Sequence, residues 1–382
     1  MTASTCDFGG GIGSLMAGVF TTKGETVIER TASSGRGAFH VHPRPAMTAE
    51  IEAGSVEPRT GRGLIDATRP YSGEDRGRTR LEILVTFGLL ALLIGAAVTR
   101  VIPLAVRIPI SLVAGLIVVR GFILYHDFQH GALLRGSRVA KLLFGVYGLL
   151  VLTPPSVWRA THNYHHAHTA KLVGSHIGSY WTVTVDMYGK LTPRERALYR
   201  FARSPLNVAL GYLTIFLYGM CLSAFLRNKR KHTDGLVALL LHAGLSVVLA
   251  VFLGIDVWLL GLVLPLVVAC AVGGYLFYAQ HNFDGIEIQP RETWEYTRAA
   301  LESSSYMRSG AVLRWVTANI GYHHVHHLNP GIPFYRLPEA MAHVPELQHP
   351  HETSLMPRDV LACFRLKLWD PAQHKMVGYP RA

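Results

Sequence analysis

Cysteine is scarce: there are four in 382 residues, Cys6, Cys221, Cys270 and Cys363, with no C-x-x-C pair. That spacing excludes a disulfide framework, and cysteine alone supplies neither an iron–sulfur nor a zinc site. Charge is scarce too, at 16% of residues, against roughly 25% in a soluble domain. Acidic residues are the rarer sign, 25 against 37 Lys and Arg, which leaves a net charge of +12. Nucleic-acid binding is one reading of such a surplus. The basic residues, however, stand in short clusters beside apolar blocks. Contact with anionic lipid and the cytosolic bias of Lys and Arg explain that placement, so no nucleic-acid partner is expected.

What the chain has in quantity is apolar length, with 49% hydrophobic residues. Four runs, 82–99, 108–125, 236–254 and 257–279, approach the roughly 20 residues that cross a bilayer core. The first two form a hairpin through a loop containing Pro103; the last two are joined by only Ile255 and Asp256. Stretches 137–152 and 205–226 are shorter or less clear. "DRGRTR" (75–80) and "RNKRKH" (227–232) both belong in the cytosol by the positive-inside rule. Stretch 205–226 then enters and leaves one face, or lies along it as an interfacial helix. The expected fold is an all-α integral membrane protein. It has about four transmembrane helices, both termini in the cytosol, and a cytosolic helical cap. Only charge bias argues against six crossings.

Residues 1–70 are rich in Gly, Ser, Thr and Arg without a sustained period, and read as a disordered N-terminal segment. The run "GGGIGSLMAGVF" lacks a basic n-region and is broken by glycine, so it is no signal peptide. Met47, opening "MTAEIEAG", is a possible natural start, which would leave residues 1–46 outside the native protein. Residues 71–350 are assigned to the membrane domain and 351–382 to a C-terminal cytosolic tail.

The histidines gather where the apolar runs end. "HDFQH" follows the second run and holds His126 and His130; "HNYHH" holds His162, His165 and His166. "YAQHNF" ends the fourth run with His281, and "HHVHH" supplies His323, His326 and His327. In the four-crossing arrangement all of these lie at or beyond one membrane face. Positions i, i+3 and i+4 share a side of a helix, so each box presents its imidazoles together. His324 stands about 100° round from His323 and is left out. Imidazole suits Zn, Cu, Fe or Ni, and such ions take four to six ligands. Nine imidazoles exceed one ion, whereas two ions sharing them keep room for oxygen or water. Asp127 and Asn319 are candidates to fix the far N–H of a ligand. His242, in mid-span, reads as an ordinary core histidine, and Gln280, Trp158 and Arg159 are assigned no chemistry.

In this order and on this hydropathy profile the boxes resemble the membrane fatty acid desaturase superfamily, from about Leu81 to Leu347. The likeness is densest in "YLFYAQHNFDG" followed by "WEYTRAALESSSY", and in "LRWVTANIGYHHVHHLNPGIPFYRLPEA". Both are more similar to acyl-lipid desaturases of the Δ12/ω6 group than to carotenoid ketolases or alkane hydroxylases. After the second box the chain reads "AHTAKLVGSHIGSYWTVTVDMY", where such proteins often carry acidic residues before the Trp. The resemblance implies that the nine histidines, as catalytic and metal residues, hold a di-iron centre. It implies O2 as co-substrate and a cis double bond placed in a lipid-linked acyl chain. An unactivated methylene offers no acidic proton, so the oxidant must come from dioxygen at a redox metal, which excludes zinc. No H-P-G-G heme-domain motif occurs in the sequence, so a ferredoxin or cytochrome b5-like donor is expected to bring electrons. The nearest alternative is a di-iron hydroxylase or ketolase acting on an alkyl chain or carotenoid. A bis-histidine heme carrier or a metal transporter would need its ligands deeper in the membrane, where only His242 lies.

Overall fold

The chain turns from polar to apolar at Asp75, whose carboxylate accepts a hydrogen bond from the Arg78 N–H at 3.0 Å and caps the first long helix. That helix, Arg76–Val98, is one of four among the described residues that are long and apolar enough to cross a membrane; the others are Leu104–His130, Thr233–Leu253 and Ile255–Gln280. This architecture is that of a computed structural model, which describes residues 58–380 except 173 and 176. The possible start at Met47 lies outside the described residues. Each helix runs beyond its apolar stretch, and the second does so usefully: His126 and His130 occupy its final turns.

The second span is the centre of the bundle. Of its apolar window 61% is buried, against 11%, 6% and 22% for the first, third and fourth, whose open faces are left for lipid. A Cβ on Gly115 would stand 2.6 Å from Val268 Cβ and 2.8 Å from the Pro265 carbonyl. The second and fourth spans therefore meet almost backbone to backbone, the small-residue contact that apolar surroundings favour. At the end of the bundle away from the histidines, Asp256 accepts from Arg100 and Arg107, each at 2.8 Å. That carboxylate ties the two helical hairpins together.

Arg120 does a related job nearer the boxes. Its guanidinium is 1% exposed, pairs with Glu82 on the first span, donates to Thr86 Oγ1 at 3.0 Å and to the Trp315 carbonyl, and lies 4.1 Å from the Trp315 ring centroid. It also stands 5.6 Å from the Phe334 ring, so it grips the chain on both sides of the third histidine box. Removing one partner of a buried ion pair costs about 3–5 kcal/mol, whereas replacing both with apolar residues is often nearly neutral. Arg120→Leu is expected to destabilise the protein by that amount, and Arg120→Leu/Glu82→Leu to recover much of it. Unfolding of the purified variants in detergent measures both; a double variant less stable than the single one would contradict the assignment.

Two helices, Arg138–Leu150 and Pro155–His168, meet at a 90° bend. Pro154 and Pro155 cause it, because the residue before a proline is driven out of the α region, and Leu152 takes a left-handed φ of 59° in the same turn. The bend lays the second box across the top of the bundle. The helix Tyr212–Arg227 is apolar but shorter than a span, and Tyr212 Oη meets His242 Nε2 on the third span at 2.6 Å.

The flanking segments differ from the sequence reading. Gly61–Thr68, inside the stretch read as disordered, is helical. Leu64 joins the main core at 1% exposure, and Asn329 Nδ2 donates to Thr68 Oγ1 at 2.9 Å. Eight residues with so few apolar positions show no period by themselves; docking onto the third box region makes them a helix. Nor do residues 351–380 form a loose tail. Glu352–Ser354 pairs in parallel with Tyr306–Arg308, and Leu368–Asp370 pairs antiparallel with Lys375–Val377. Trp369 is 2% exposed, and Asn282, beside His281, donates to the Cys363 carbonyl at 2.7 Å. The segment thus braces the chain that carries His281.

Candidate metal centre

Four elements bring the boxes together. The second span delivers His126 and His130 one turn apart. The bent-over helix Pro155–His168 delivers His162, His165 and His166. The fourth span ends at Gln280 and hands over directly to His281. A turn with Ala318 and Asn319 at φ 42° and 55° redirects the chain into the short helix His323–Leu328. The nine histidines then fall into two sets of converging ring nitrogens. One is His126, His130, His162, His166 and His326; the other is His165, His281, His323 and His327. Within each set the ligand atoms lie within 4.8 Å of one another, and only His130 and His281 are not fully buried.

The H-x-x-H-H spacing explains the division. Positions i and i+4 lie in one row along a helix, and i+3 lies across from it. Thus His162 and His166 serve one set while His165 turns to the other. In the last box His323 and His327 serve the second set and His326 crosses to the first. The two identical motifs are used in opposite senses, and the stacked rings of His166 and His327, 4.2 Å apart, join the two sets.

The spacing of the nitrogens fits metal ions. In the first set Nε2 of His162 is 3.0 Å from Nε2 of both His126 and His166, and His166 is 3.2 Å from His326. In the second set the contacts run from 2.9 Å (His323 to His281) to 3.3 Å (His165 to His327). Two imidazoles bound at about 2.0–2.1 Å and at right angles place their nitrogens roughly 2.9 Å apart, and tetrahedral ligands place them about 3.4 Å apart. Bare lone pairs converging at such distances repel, so a cation is the occupant this arrangement suits. The Nε2 of His130 is buried in the first set with no hydrogen-bond partner among the described residues.

The protonation states agree. Burial, with the neighbouring imidazoles second, pushes His162, His165, His166, His323, His326 and His327 well below the ordinary histidine range. Burial lowers His281 to about 4, against a raising hydrogen bond to Ser303. Neutral imidazole is the form that ligates.

Three of the nine imidazoles have the far nitrogen held by a described partner. His126 Nδ1 faces Asp127 Oδ1 at 3.0 Å, and the other carboxylate oxygen accepts the Phe334 N–H at 2.7 Å. His281 Nδ1–H donates to the Ser303 carbonyl at 2.9 Å. His327 Nδ1 lies 3.3 Å from Thr169 Oγ1, whose own proton goes to the His165 carbonyl at 2.7 Å. The hydroxyl is therefore an acceptor for His327, which leaves Nε2 free for a metal. Asp127 is where the sequence reading put a supporting acceptor. Asn319 is not: its Nδ2 donates to the Phe334 carbonyl at 3.1 Å and shapes the chain around the box instead. Ser303 and Thr169 went unforeseen, one because it acts through a backbone carbonyl and the other because its contact spans 158 residues. Loss of a group that orients a metal-bound histidine costs about 10–100-fold in metal affinity. Asp127→Ala is expected to lose that factor in a chelator competition, with the helix content unchanged by circular dichroism.

Beneath the imidazoles lies a cavity of about 180 Å³ between the second and fourth spans and the Tyr212–Arg227 helix, where one water needs roughly 10–15 Å³. Its walls are almost wholly apolar. Its top is closed by His126 and His162 of the first set and His323 of the second, with Trp158 and Gln280 beside them. Trp158, given no role from sequence, stacks on His162 at 4.3 Å and meets His126 edge-on at 5.3 Å. Gly178 lies at the same wall with φ of 70°, and a Cβ there would come within 2.3 Å of the Thr161 carbonyl. Only glycine lets that loop rest on the second box helix. The histidines set aside from sequence stay apart: His324 Nε2 is paired with the Leu347 carbonyl at 3.1 Å, and His242 with Tyr212.

Residues 103–358 match the family model described as fatty acid desaturase. Among characterised proteins the chain is 29% identical to a fatty acid desaturase of Bacillus subtilis, over 71% of this chain and 76% of that one. It is 24% identical to an sn-1 oleoyl-lipid 12-desaturase of a Picosynechococcus species, over 70% and 75% of the two chains. It is also 24% identical to an sn-1 acyl-lipid omega-3 desaturase (ferredoxin) of a Synechocystis species, over 57% and 62%.

Proposed function

This chain belongs to the fatty acid desaturase family, and from that premise we propose that it introduces a cis double bond into a lipid-linked acyl chain at a di-iron centre. It is an oxidoreductase with membrane-spanning helices and a histidine cluster suited to two metals. The observation that carries the finer reading is the cavity, which rises among the spans and stops against histidines of both sets. A methylene pair brought to its top would lie beneath both metal sites at once.

His126, His130, His162, His165, His166, His281, His323, His326 and His327 would hold two iron ions, which supply the O2-dependent oxidation that takes hydrogen from an unactivated methylene. The rest falls to the protein. Nine neutral imidazoles, seven of them buried, would leave the loaded pair of sites a high positive charge without a neutralising carboxylate ligand. The apolar walls keep bulk water from the reacting carbons and hold the chain in one register, so that the gain is positional. Trp158 and Phe122 narrow the upper wall next to His126.

The histidines lie at the ends of the second and fourth spans, the side on which the Arg-rich 76–80 segment also sits. Under the positive-inside rule that side is the cytosol, where a soluble carrier can reach it. An external one-electron donor, a ferredoxin or a cytochrome b5-like protein, completes the reaction; one similar protein carries ferredoxin in its name.

Expression in a host with a competent donor, followed by fatty-acid analysis with double-bond location, tests the reading. A new cis-unsaturated acid is the expected product. An oxygenated acyl chain in its place would make the protein a hydroxylase, and unchanged lipids from metal-loaded, donor-supplied protein would remove acyl lipid as substrate.

A further inference from the structure

Seven of the nine imidazoles are buried, His130 and His281 are partly exposed, and the cavity beneath them is walled by apolar spans. A hydrogen-bonded connection also runs from a partly exposed ring outside the two sets to the second set. Trp294 is half-buried in the segment that follows His281, and its indole N–H donates to the Thr169 carbonyl at 2.8 Å. The same Thr169 presents its hydroxyl to His327 Nδ1 at 3.3 Å. Indole, one residue and one imidazole thus link the surface to the metal-facing Nε2 through two hydrogen bonds.

Two cations stand by that indole, in a segment that also exposes Glu292 and, turned to the Thr297 and Arg298 N–H groups, Glu295. Lys171 Nζ sits 3.9 Å over the Trp294 ring, a cation–π contact, and Arg291 is exposed three residues before the tryptophan. Lys171 and the Trp294 segment are further joined by a backbone bridge from Lys171 to Gln289. Two cations flanking an aromatic ring that is wired to a ligand suit a partner with an acidic face around its own redox group, because such complementarity steers and orients docking.

We propose that Trp294, framed by Lys171 and Arg291, is the docking point for an acidic one-electron carrier protein and that Trp294–Thr169–His327 is the route by which its electrons reach the metal pair. This rests on the reading above that the protein is an O2-dependent desaturase. The balance requires such a partner. Forming the double bond releases two electrons and two protons from the acyl chain, while reducing O2 to two waters takes four of each. Two electrons arrive as two single deliveries from the carrier, which is oxidised, and two protons come from solvent. The indole takes part as a coupling bridge and is neither oxidised nor reduced.

The test uses full-length protein in nanodiscs and a [2Fe–2S] ferredoxin as the probe. Binding is measured first on metal-free protein, so that it does not depend on turnover. Lys171→Glu/Arg291→Glu is expected to weaken ferredoxin binding at least tenfold and to flatten its salt dependence. Trp294→Phe, which keeps the ring but loses the N–H, is expected to bind ferredoxin normally. It should nevertheless slow the reoxidation of reduced ferredoxin by metal-loaded protein at least tenfold, with metal content unchanged and turnover driven by reduced methyl viologen retained. Unaltered ferredoxin binding in the charge-reversed variant overturns the docking site. Weaker binding of that variant to vesicles of anionic lipid, with ferredoxin binding intact, would reassign the face to the membrane. Normal reoxidation in Trp294→Phe overturns the route. If unmutated protein reoxidises ferredoxin yet makes no olefin, the desaturase reading fails and the docking result still stands.

Discussion

The unmutated protein is expected to hold two metal ions per chain, and His323→Ala to hold one and to make no detectable olefin. His326→Ala should be equally inactive but keep more metal. The difference follows from the unequal sets, five imidazoles against four. Without His323 the second set retains three nitrogens, so an ion there is held by fewer protein ligands than one in the first set and is lost first to a chelator. Without His326 the first set still offers four. Activity should fall by more than the roughly 10–100-fold that follows loss of a group behind a ligand, because here the ligand itself is gone. Metal analysis after washing with a weak chelator, paired with fatty-acid profiling, reads both effects. Equal metal retention in the two variants would show that the sets are not separate sites.

Gly273→Phe is expected to depress conversion of long acyl chains by roughly 5- to 150-fold while leaving two metals bound. Gly273 lies on the fourth span at the cavity wall, and a Cβ there meets nothing within 4 Å. The added ring therefore meets open space at the cavity wall and narrows it. The relevant energy is not hydrophobic transfer, since an acyl chain leaving the bilayer is already in an apolar solvent. Steric exclusion decides the effect, and forcing excess volume into a packed space costs about 1–3 kcal/mol. Shorter substrates should suffer less, so the product profile of the variant shifts toward shorter chains. An unchanged profile would mean that the substrate does not occupy this cavity. Against His323→Ala the two readouts separate cleanly: one variant loses metal, the other loses only fit.

Much of this protein was legible before any coordinates. Four apolar runs of spanning length were plain because a bilayer tolerates little else, and the histidine boxes stood out because helical spacing at the ends of those runs is a strong coincidence. Asp127 is legible as a candidate because it adjoins His126, whose Nδ1 it faces. Asn319 misled for the converse reason: a position one turn before His323 faces it only if the helix continues backwards, and the left-handed turn at Ala318 and Asn319 prevents that. Trp158 had the right place in the sequence but nothing to distinguish it from an interfacial tryptophan. The helix Gly61–Thr68 and the paired strands after residue 351 are too short to carry a period, and they exist through long-range contacts.

The sequence by itself determined the membrane class, the nine histidines and the oxidative chemistry they imply, because each of these rests on local properties: length of apolar runs, residue type and spacing within one turn or two. Tertiary structure alone decided how the nine divide into five and four, which groups brace them from behind, and where the cavity meets them. Those facts depend on the angle at which separate helices cross. That angle is set by the 90° bend at Pro154 and Pro155, by the close approach at Gly115 and by the grip of Arg120 on both sides of the last box, contacts between residues far apart in the chain.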